Sequence, residues 1–250
     1  MPLYPAPLRS TRWLLAVLLL ALIFTLGIVV FRWLPAASPI ITHQSLQVGS
    51  DTRTFRLASP PDPPSTGSLP LIVALHGVGD SADSMAAYSG LDQLAADGQA
   101  YVVYPEAQRG MWNVFAIAAD QQADNRDLQM IDRLIAELRD QLAPRDVRLV
   151  GMSNGATFAQ LIQQSRSDIE RTVAHSGSRP PELPFGPPLP IMLVVGTADL
   201  AADPMRRNAT AYRETGYLVE LLEVPGLGHA WATTKSQAIR DFLTQPGEAD

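Results

Sequence analysis

The sequence predicts an α/β fold, a mostly parallel sheet with helices on both faces, and three observations carry that expectation. Apolar runs of strand length recur at Leu71–Leu75, Val147–Val150 and Ile191–Val195. In the first and the last, the lack of polar alternation is what strands buried on both faces require. Amphipathic stretches lie between them, the clearest carrying Ile131, Leu134, Ile135, Leu138 and Leu142 at helical spacing. Gly- and Pro-containing turns separate the two kinds of segment, and such alternation implies βαβ units.

Composition sets the outer bounds. A chain of 250 residues, 46% hydrophobic and 18% charged, is long enough for one sizeable core and has an ordinary globular balance. It has no cysteine, which excludes disulfides, thiolate metal sites and a cysteine nucleophile. The formal charge is −6, and Arg9, Arg12 and Arg32 are the only charges before position 50, leaving 16 basic against 25 acidic residues beyond it. That balance argues against a nucleic-acid partner.

In chain order, residues 1–12 form a short N-terminal segment and Trp13 to Phe31 an uncharged, apolar run. As a helix its 19 positions span about 28 Å, close to a bilayer's hydrocarbon core. The run is longer than a signal-peptide h-region and ends in Arg32-Trp33 with a poor cleavage site, so a membrane anchor is expected over 13–33, with a cleaved signal as the alternative. Arg9 and Arg12 before it outnumber Arg32 after it, which puts the remainder of the chain on the extracytoplasmic side. Residues 34–44 read as a linker and 45–250 as the folded domain.

Within that domain Ser45–Val48 and Thr52–Leu57 alternate around Gly49-Ser-Asp51, a hairpin signal. After a Pro-rich loop at 59–67 and strand Leu71–Leu75, a helix is expected over Ser84–Ala96, a strand over Tyr101–Tyr104 and a helix over Asp127–Leu142. Strand Val147–Val150 leads into a helix carrying Phe158, Leu161 and Ile162. Then follow a short strand Thr172–Ala174, a Pro-rich loop 180–190, strand Ile191–Val195, helix Met205–Tyr212, strand Tyr217–Val224 and a last helix near Thr233–Leu243.

The stretch Gly151-Met-Ser-Asn-Gly155 ends a strand and opens a helix, and a serine at the apex of such a turn is lifted clear of the sheet. A serine hydroxyl needs a base, and the base needs a group that orients it. Only His175 and His229 follow Ser153, and only His229 leaves a strand-terminal carboxylate between. Asp199, four residues past the run 191–195, is the candidate acid and Asp203 its competitor; either could instead cap the helix near Met205. Backbone N–H groups of Val78 and Asn154 stand where an oxyanion hole needs them. Trp112, Phe115, His175 and Trp231 are candidate pocket-lining residues, with core packing as the alternative for the aromatic residues. His76 reads as a brace for the Val78 loop.

The same loop, Gly77-Val-Gly-Asp-Ser-Ala82, matches a dinucleotide fingerprint with Glu106 as a ribose ligand, but that reading leaves Ser153, Asp199 and His229 without a role. No zinc, calcium or phosphate-loop spacing occurs, so no metal or cofactor is expected.

Leu75-His-Gly77, Tyr104-Pro-Glu106 with Trp112-Asn113, Asp127–Ile135, Gly151–Gly155, Gly196-Thr-Ala-Asp199 and Gly228-His229 together resemble the polyhydroxybutyrate depolymerase and feruloyl esterase group of α/β-hydrolases, from about residue 70 to 243. The resemblance implies an α/β-hydrolase fold and a cofactor-free esterase whose triad positions match Ser153, Asp199 and His229. The chain departs from the group in lacking cysteines near the oxyanion loop and in its short interval from Asp199 to His229. With no separate polymer-binding domain expected, small or oligomeric esters are the expected substrates. A catalytically idle binding protein at the envelope, or a peptidase on the same scaffold, are the alternatives.

Overall fold

The computed structural model describes residues 37–247. They form an eight-stranded sheet in the order β1-β2-β4-β3-β5-β6-β7-β8. The first two strands, β1 (Ile40–Val48) and β2 (Asp51–Ser59), make an antiparallel hairpin with Val48 opposite Asp51, and Gly49 takes the positive φ of 60° that this two-residue turn demands. Both strands are longer than their alternating sequence suggests, reaching back to Ile40 and on to Ser59. Beyond them β3 (Leu71–Leu75), β4 (Tyr101–Pro105), β5 (Val147–Met152), β6 (Ile169–His175), β7 (Ile191–Gly196) and β8 (Val219–Val224) run parallel to one another.

Every residue of β3, β4, β5 and β7 is buried, as the apolar runs of β3, β4 and β7 foretell; β5 buries Arg148 as well. Odd positions of β3 (Leu71, Val73, Leu75) pack with α4 (Arg126–Leu142) and α5 (Asn154–Ser165). Even positions Ile72 and Ala74 pack with α1 (Ala82–Ser89), α2 (Asp92–Ala96) and α7 (Ser236–Thr244) on the opposite face. Against β7 lies α6 (Ala202–Glu214), on the α4 and α5 side. A short α3 (Ala119–Ala123) precedes α4.

Several boundaries differ from expectation for local reasons. The single helix expected over Ser84–Ala96 is two, because Gly90 turns left-handed (φ 64°) and closes α1. Ser81 opens α1 by accepting the Ser84 N–H, and Asn125 opens α4 by accepting those of Asp127 and Leu128. The strand expected over Thr172–Ala174 extends to 169–175, because Arg171 and His175 are buried polar residues that hide a strand pattern. Helix α6 extends two to three residues beyond its expected ends, and the last helix is preceded by a 3₁₀ turn at Thr233–Lys235.

Among the described residues no helix is long and apolar enough to cross a membrane. The anchor expected over 13–33 lies outside the described residues.

Candidate active site

Ser153 sits between β5 and α5 with φ 56° and ψ −120°, a conformation costing about 1–3 kcal/mol in a non-glycine residue. The surroundings hold it there. Its N–H donates to the His175 carbonyl at 2.8 Å. Side chains at the two flanking glycines would collide with backbone: a Cβ on Gly151 with the Gly155 carbonyl, one on Gly155 with the Leu75 carbonyl. Those close approaches explain why the turn is bracketed by glycine.

His229 follows β8 in a Gly-containing loop, and its Nε2 lies 2.8 Å from Ser153 Oγ. Its Nδ1 stands 3.1 and 3.0 Å from the two carboxylate oxygens of Asp199, which follows β7. A carboxylate at Nδ1 places the imidazole proton there, so the Nε2 lone pair faces the serine hydroxyl. Burial raises the Asp199 carboxyl, but the Ala201 N–H, the Ser176 hydroxyl and His229 outweigh it and hold the group below the ordinary carboxylate value. Asp203, the competing acid, is instead exposed on α6 and paired with Arg206 at 2.6 Å.

The loop after β3 reaches over the serine. A Cβ added to Gly77 would stand 3.4 Å from Ser153 Cβ, ordinary contact distance, so this loop passes directly beside the serine. Among the described residues neither the Val78 nor the Asn154 N–H has a hydrogen-bond partner. The loop is braced from behind: the buried His76 accepts the Ala107 N–H on Nε2 at 3.1 Å, which leaves Nδ1–H to donate to the Gly77 carbonyl at 2.7 Å. Gly79 N–H donates to the Gly110 carbonyl at 2.8 Å.

A cavity of about 730 Å³ opens beside Ser153 and His229, walled by Val78, Asp80, Tyr88, Met152, Trp231 and Thr233. Of the four side chains expected to line it, Trp231 does. Trp112 is fully buried, stacked on Phe158 at 5.1 Å with its indole N–H on the His76 carbonyl, so it supports the Gly77–Val78 loop from the core. Phe115 is 73% exposed and outside the cavity wall, because its loop turns to solvent. His175 is buried behind Trp231. Sequence reasoning missed Asp80, Tyr88 and Met152, and also the Asn154 side chain, which accepts the Trp112 N–H at 2.8 Å and donates to the Trp112 carbonyl at 3.2 Å.

A separate hollow of about 480 Å³ lies beside His43, Arg56 and Glu106. Its charges are committed to one another through Arg56–Asp92 and His43–Asp83 pairs. Glu106, the ribose ligand of the dinucleotide reading, accepts the Ala82 N–H at 2.8 Å. Among the described residues no three His, Asp or Glu side chains converge as metal ligands.

Comparison with known proteins gives the chain a family. The sequence profile described as Phospholipase/Carboxylesterase matches residues 62–246, most of the chain. The chain belongs to this phospholipase/carboxylesterase family. That family lies within the α/β-hydrolase superfamily. The protein named "Putative esterase NocK" of Nocardia uniformis subsp. tsuyamanensis is 28% identical over 173 residues, 66% of this chain and 50% of NocK, so the chain spans about half the length of that relative. A ferulic acid esterase structure superposes with a TM-score of 0.65 at 17% identity, covering 83% of this chain and 98% of its own. The substrate-bound fluorophosphonate-binding serine hydrolase FphF of Staphylococcus aureus gives 0.66 at 11%, with the same coverages. At these identities the likeness to both structures is one of fold.

Proposed function

We propose that this phospholipase/carboxylesterase family member cleaves small or oligomeric carboxylic esters through Ser153, His229 and Asp199. The observation that supports this most is the unbroken chain from Ser153 Oγ to His229 Nε2 at 2.8 Å and from His229 Nδ1 to Asp199 at 3.0 Å. Ser153 Oγ bonds to the ester carbonyl carbon as its proton passes to His229 Nε2, and Asp199 stabilises the imidazolium. The Val78 and Asn154 N–H groups receive the carbonyl oxygen as it becomes an oxyanion. The imidazolium returns the proton to the leaving alcohol as the C–O bond breaks. Water, deprotonated by the same imidazole, then releases the acid from the acyl-enzyme.

The apolar run Trp13–Phe31 supports a second part of the proposal: the domain is tethered to a membrane on its extracytoplasmic side. Intact mass of the mature protein distinguishes a retained anchor from a removed signal.

Ser153→Ala is expected to abolish turnover of short p-nitrophenyl esters, by at least about 10⁴-fold, and to abolish labelling by a fluorophosphonate, with the fold retained. A folded variant with undiminished turnover would defeat the assignment. A folded parent that neither turns over esters nor takes the probe would identify an idle binding protein instead.

A further inference from the structure

His175, the last residue of β6, and Ser176 and Gly177 just after it reach Ser153, Asp199 and the loop that carries His229, and none of them has a role in the proposed chemistry. The His175 carbonyl accepts the Ser153 N–H at 2.8 Å. A Cβ on Gly177 would run into the Ser153 carbonyl, so the nucleophile turn rests directly on this strand end. The His175 ring, fully buried, accepts the Ala232 N–H on Nε2 at 2.8 Å and stands 3.1 Å from Ser176 Oγ on Nδ1. Ala232 lies three residues beyond His229 in the same loop, and its neighbour Trp231 stacks on the His175 ring at 4.7 Å and 17°.

The bonding determines the ring's state. An Nε2 that accepts an amide N–H carries no proton, so Nδ1 carries it and donates to Ser176 Oγ. A protonated ring would set two N–H groups against each other. Burial favours the required neutral form, pushing the His175 imidazole down to about 4, with Asp199 opposing and His229 adding to that effect. With Ser176 Oγ accepting from His175, its own proton is free for Asp199, and the Ser176 hydroxyl helps hold that carboxyl low. Ser176 has a φ of 54°, a strained value kept by the same contacts.

We propose that His175 is a positioning residue of the ester-cleaving reaction: its neutral ring ties the His229 loop, through the Ala232 N–H, to the strand end that also holds the Ser153 N–H. This rests on the reading of Ser153, His229 and Asp199 given above. The tie sets the height of His229 over the nucleophile. A displacement of about 1 Å in such a pair is enough to lower the rate roughly 100-fold while leaving substrate binding alone. Trp231, a wall of the substrate cavity, is seated by the same ring, so the histidine couples the floor of the cavity to the base.

The test compares the full-length parent with His175→Phe, which keeps a ring for Trp231 to stack on but removes both nitrogens, and His175→Gln, which can still accept from Ala232. For His175→Phe a fall of roughly 10- to 100-fold in kcat at nearly constant KM is expected, with fluorophosphonate labelling slowed in proportion. For His175→Gln most of that loss is recovered. Phe and Gln variants that are equally slow, or a folded His175→Phe with parental kcat, would overturn the inference. Amide exchange at Ala232 and ¹⁵N shifts of the His175 ring in the parent give a readout that survives failure of a variant to fold. Protection of the Ala232 N–H and a neutral Nδ1–H ring are expected. An unprotected amide or an Nε2–H ring would overturn the tie even in an active enzyme. A parent that does not label would overturn the ester-cleaving reading itself, leaving these two measurements to decide whether the tie exists.

Discussion

The two ends of the parallel sheet handle buried polar groups in opposite ways. At the amino-terminal end Arg148, fully buried on β5, donates to both oxygens of Asp146 at 2.6 and 2.9 Å and to the Leu243 and Gln245 carbonyls at 2.7 Å. Arg171 on β6 donates to the Phe242 and Pro246 carbonyls. Donors there are spent on a carboxylate and on the carbonyls of the last turn of α7 and the two residues after it, and the result is a lock on the C-terminal segment. At the carboxyl-terminal end the Val78 and Asn154 N–H groups stay open, Ser153 is held in a strained turn, and His229 is half exposed. One end spends nearly all of its polar groups internally, with Arg171 Nε and Thr172 Oγ1 the buried exceptions; the other leaves the Val78 and Asn154 N–H groups open beside Ser153. That contrast separates stability from reactivity along the strand direction, and substitutions at the two ends are expected to divide the same way.

The largest effect is expected at the carboxyl-terminal end. Asp199→Asn preserves shape but offers His229 an amide in place of a carboxylate, which favours the wrong tautomer; kcat/KM on short esters should fall by about 10⁴-fold with little change in stability. Asp203→Asn, in an exposed pair with Arg206 three residues further on, should leave kcat/KM unchanged. Equal losses from the two would mean that the acid acts through α6 as a whole, and the contrast would blur.

Next in size is Arg148→Met at the opposite end. Removing the guanidinium leaves Asp146 with Arg145 alone and takes a donor from the buried Leu243 carbonyl and from that of Gln245, and should lower the unfolding free energy by about 3 kcal/mol in urea titrations, with kcat unaltered while the protein is folded. The pH dependence has a definite sign. Burial raises the Asp146 carboxyl, but its bonds to Arg148 and Arg145 win and hold it below the ordinary carboxylate value. A carboxyl depressed in the folded state contributes stability that is present at neutral pH and lost as pH falls through its folded value. The deficit of Arg148→Met should therefore narrow in strong acid. A constant deficit would assign the loss to the severed C-terminal carbonyls alone.

What the sequence made legible follows from the same division. The positions of Ser153, Asp199 and His229 could be read because each follows a strand and their order along the chain is constrained by the fold. The hairpin and the α4 stripe were legible through periodicity. Of the braces only His76 was, and its partner was not. His175 and Arg171 are buried polar residues inside a strand, so they erase the apolar signal of the strand they belong to. His76, Asn154 and His175 bond to main-chain groups of Ala107, Trp112 and Ala232, and a main-chain partner has no residue type by which to recognise it. Trp112 could equally have faced cavity or core on sequence grounds; only the path of its loop decides.

The smallest effect belongs to Asn154, and it probes whether the open end is as unbraced as its free N–H groups suggest. From the sequence Asn154 matters through its backbone N–H, and on that ground alone Asn154→Ala would be mild. The structure adds two bonds from its side chain to the Trp112 main chain, at 2.8 and 3.2 Å, which fasten the loop behind His76 to the first turn of α5. Alanine keeps the N–H in place but strands the Trp112 N–H and carbonyl, costing about 1–2 kcal/mol of stability. Because Trp112 also donates to the His76 carbonyl, part of that loss should reach the Gly77–Val78 loop. A fall in kcat of about 10-fold, against at least 10⁴-fold for Ser153→Ala, is the expected outcome in ester turnover. A variant as stable and as fast as the parent would show that the Val78 loop is held by His76 and Gly110 alone. A loss equal to that of Ser153→Ala would put the Asn154 side chain among the groups that meet the substrate.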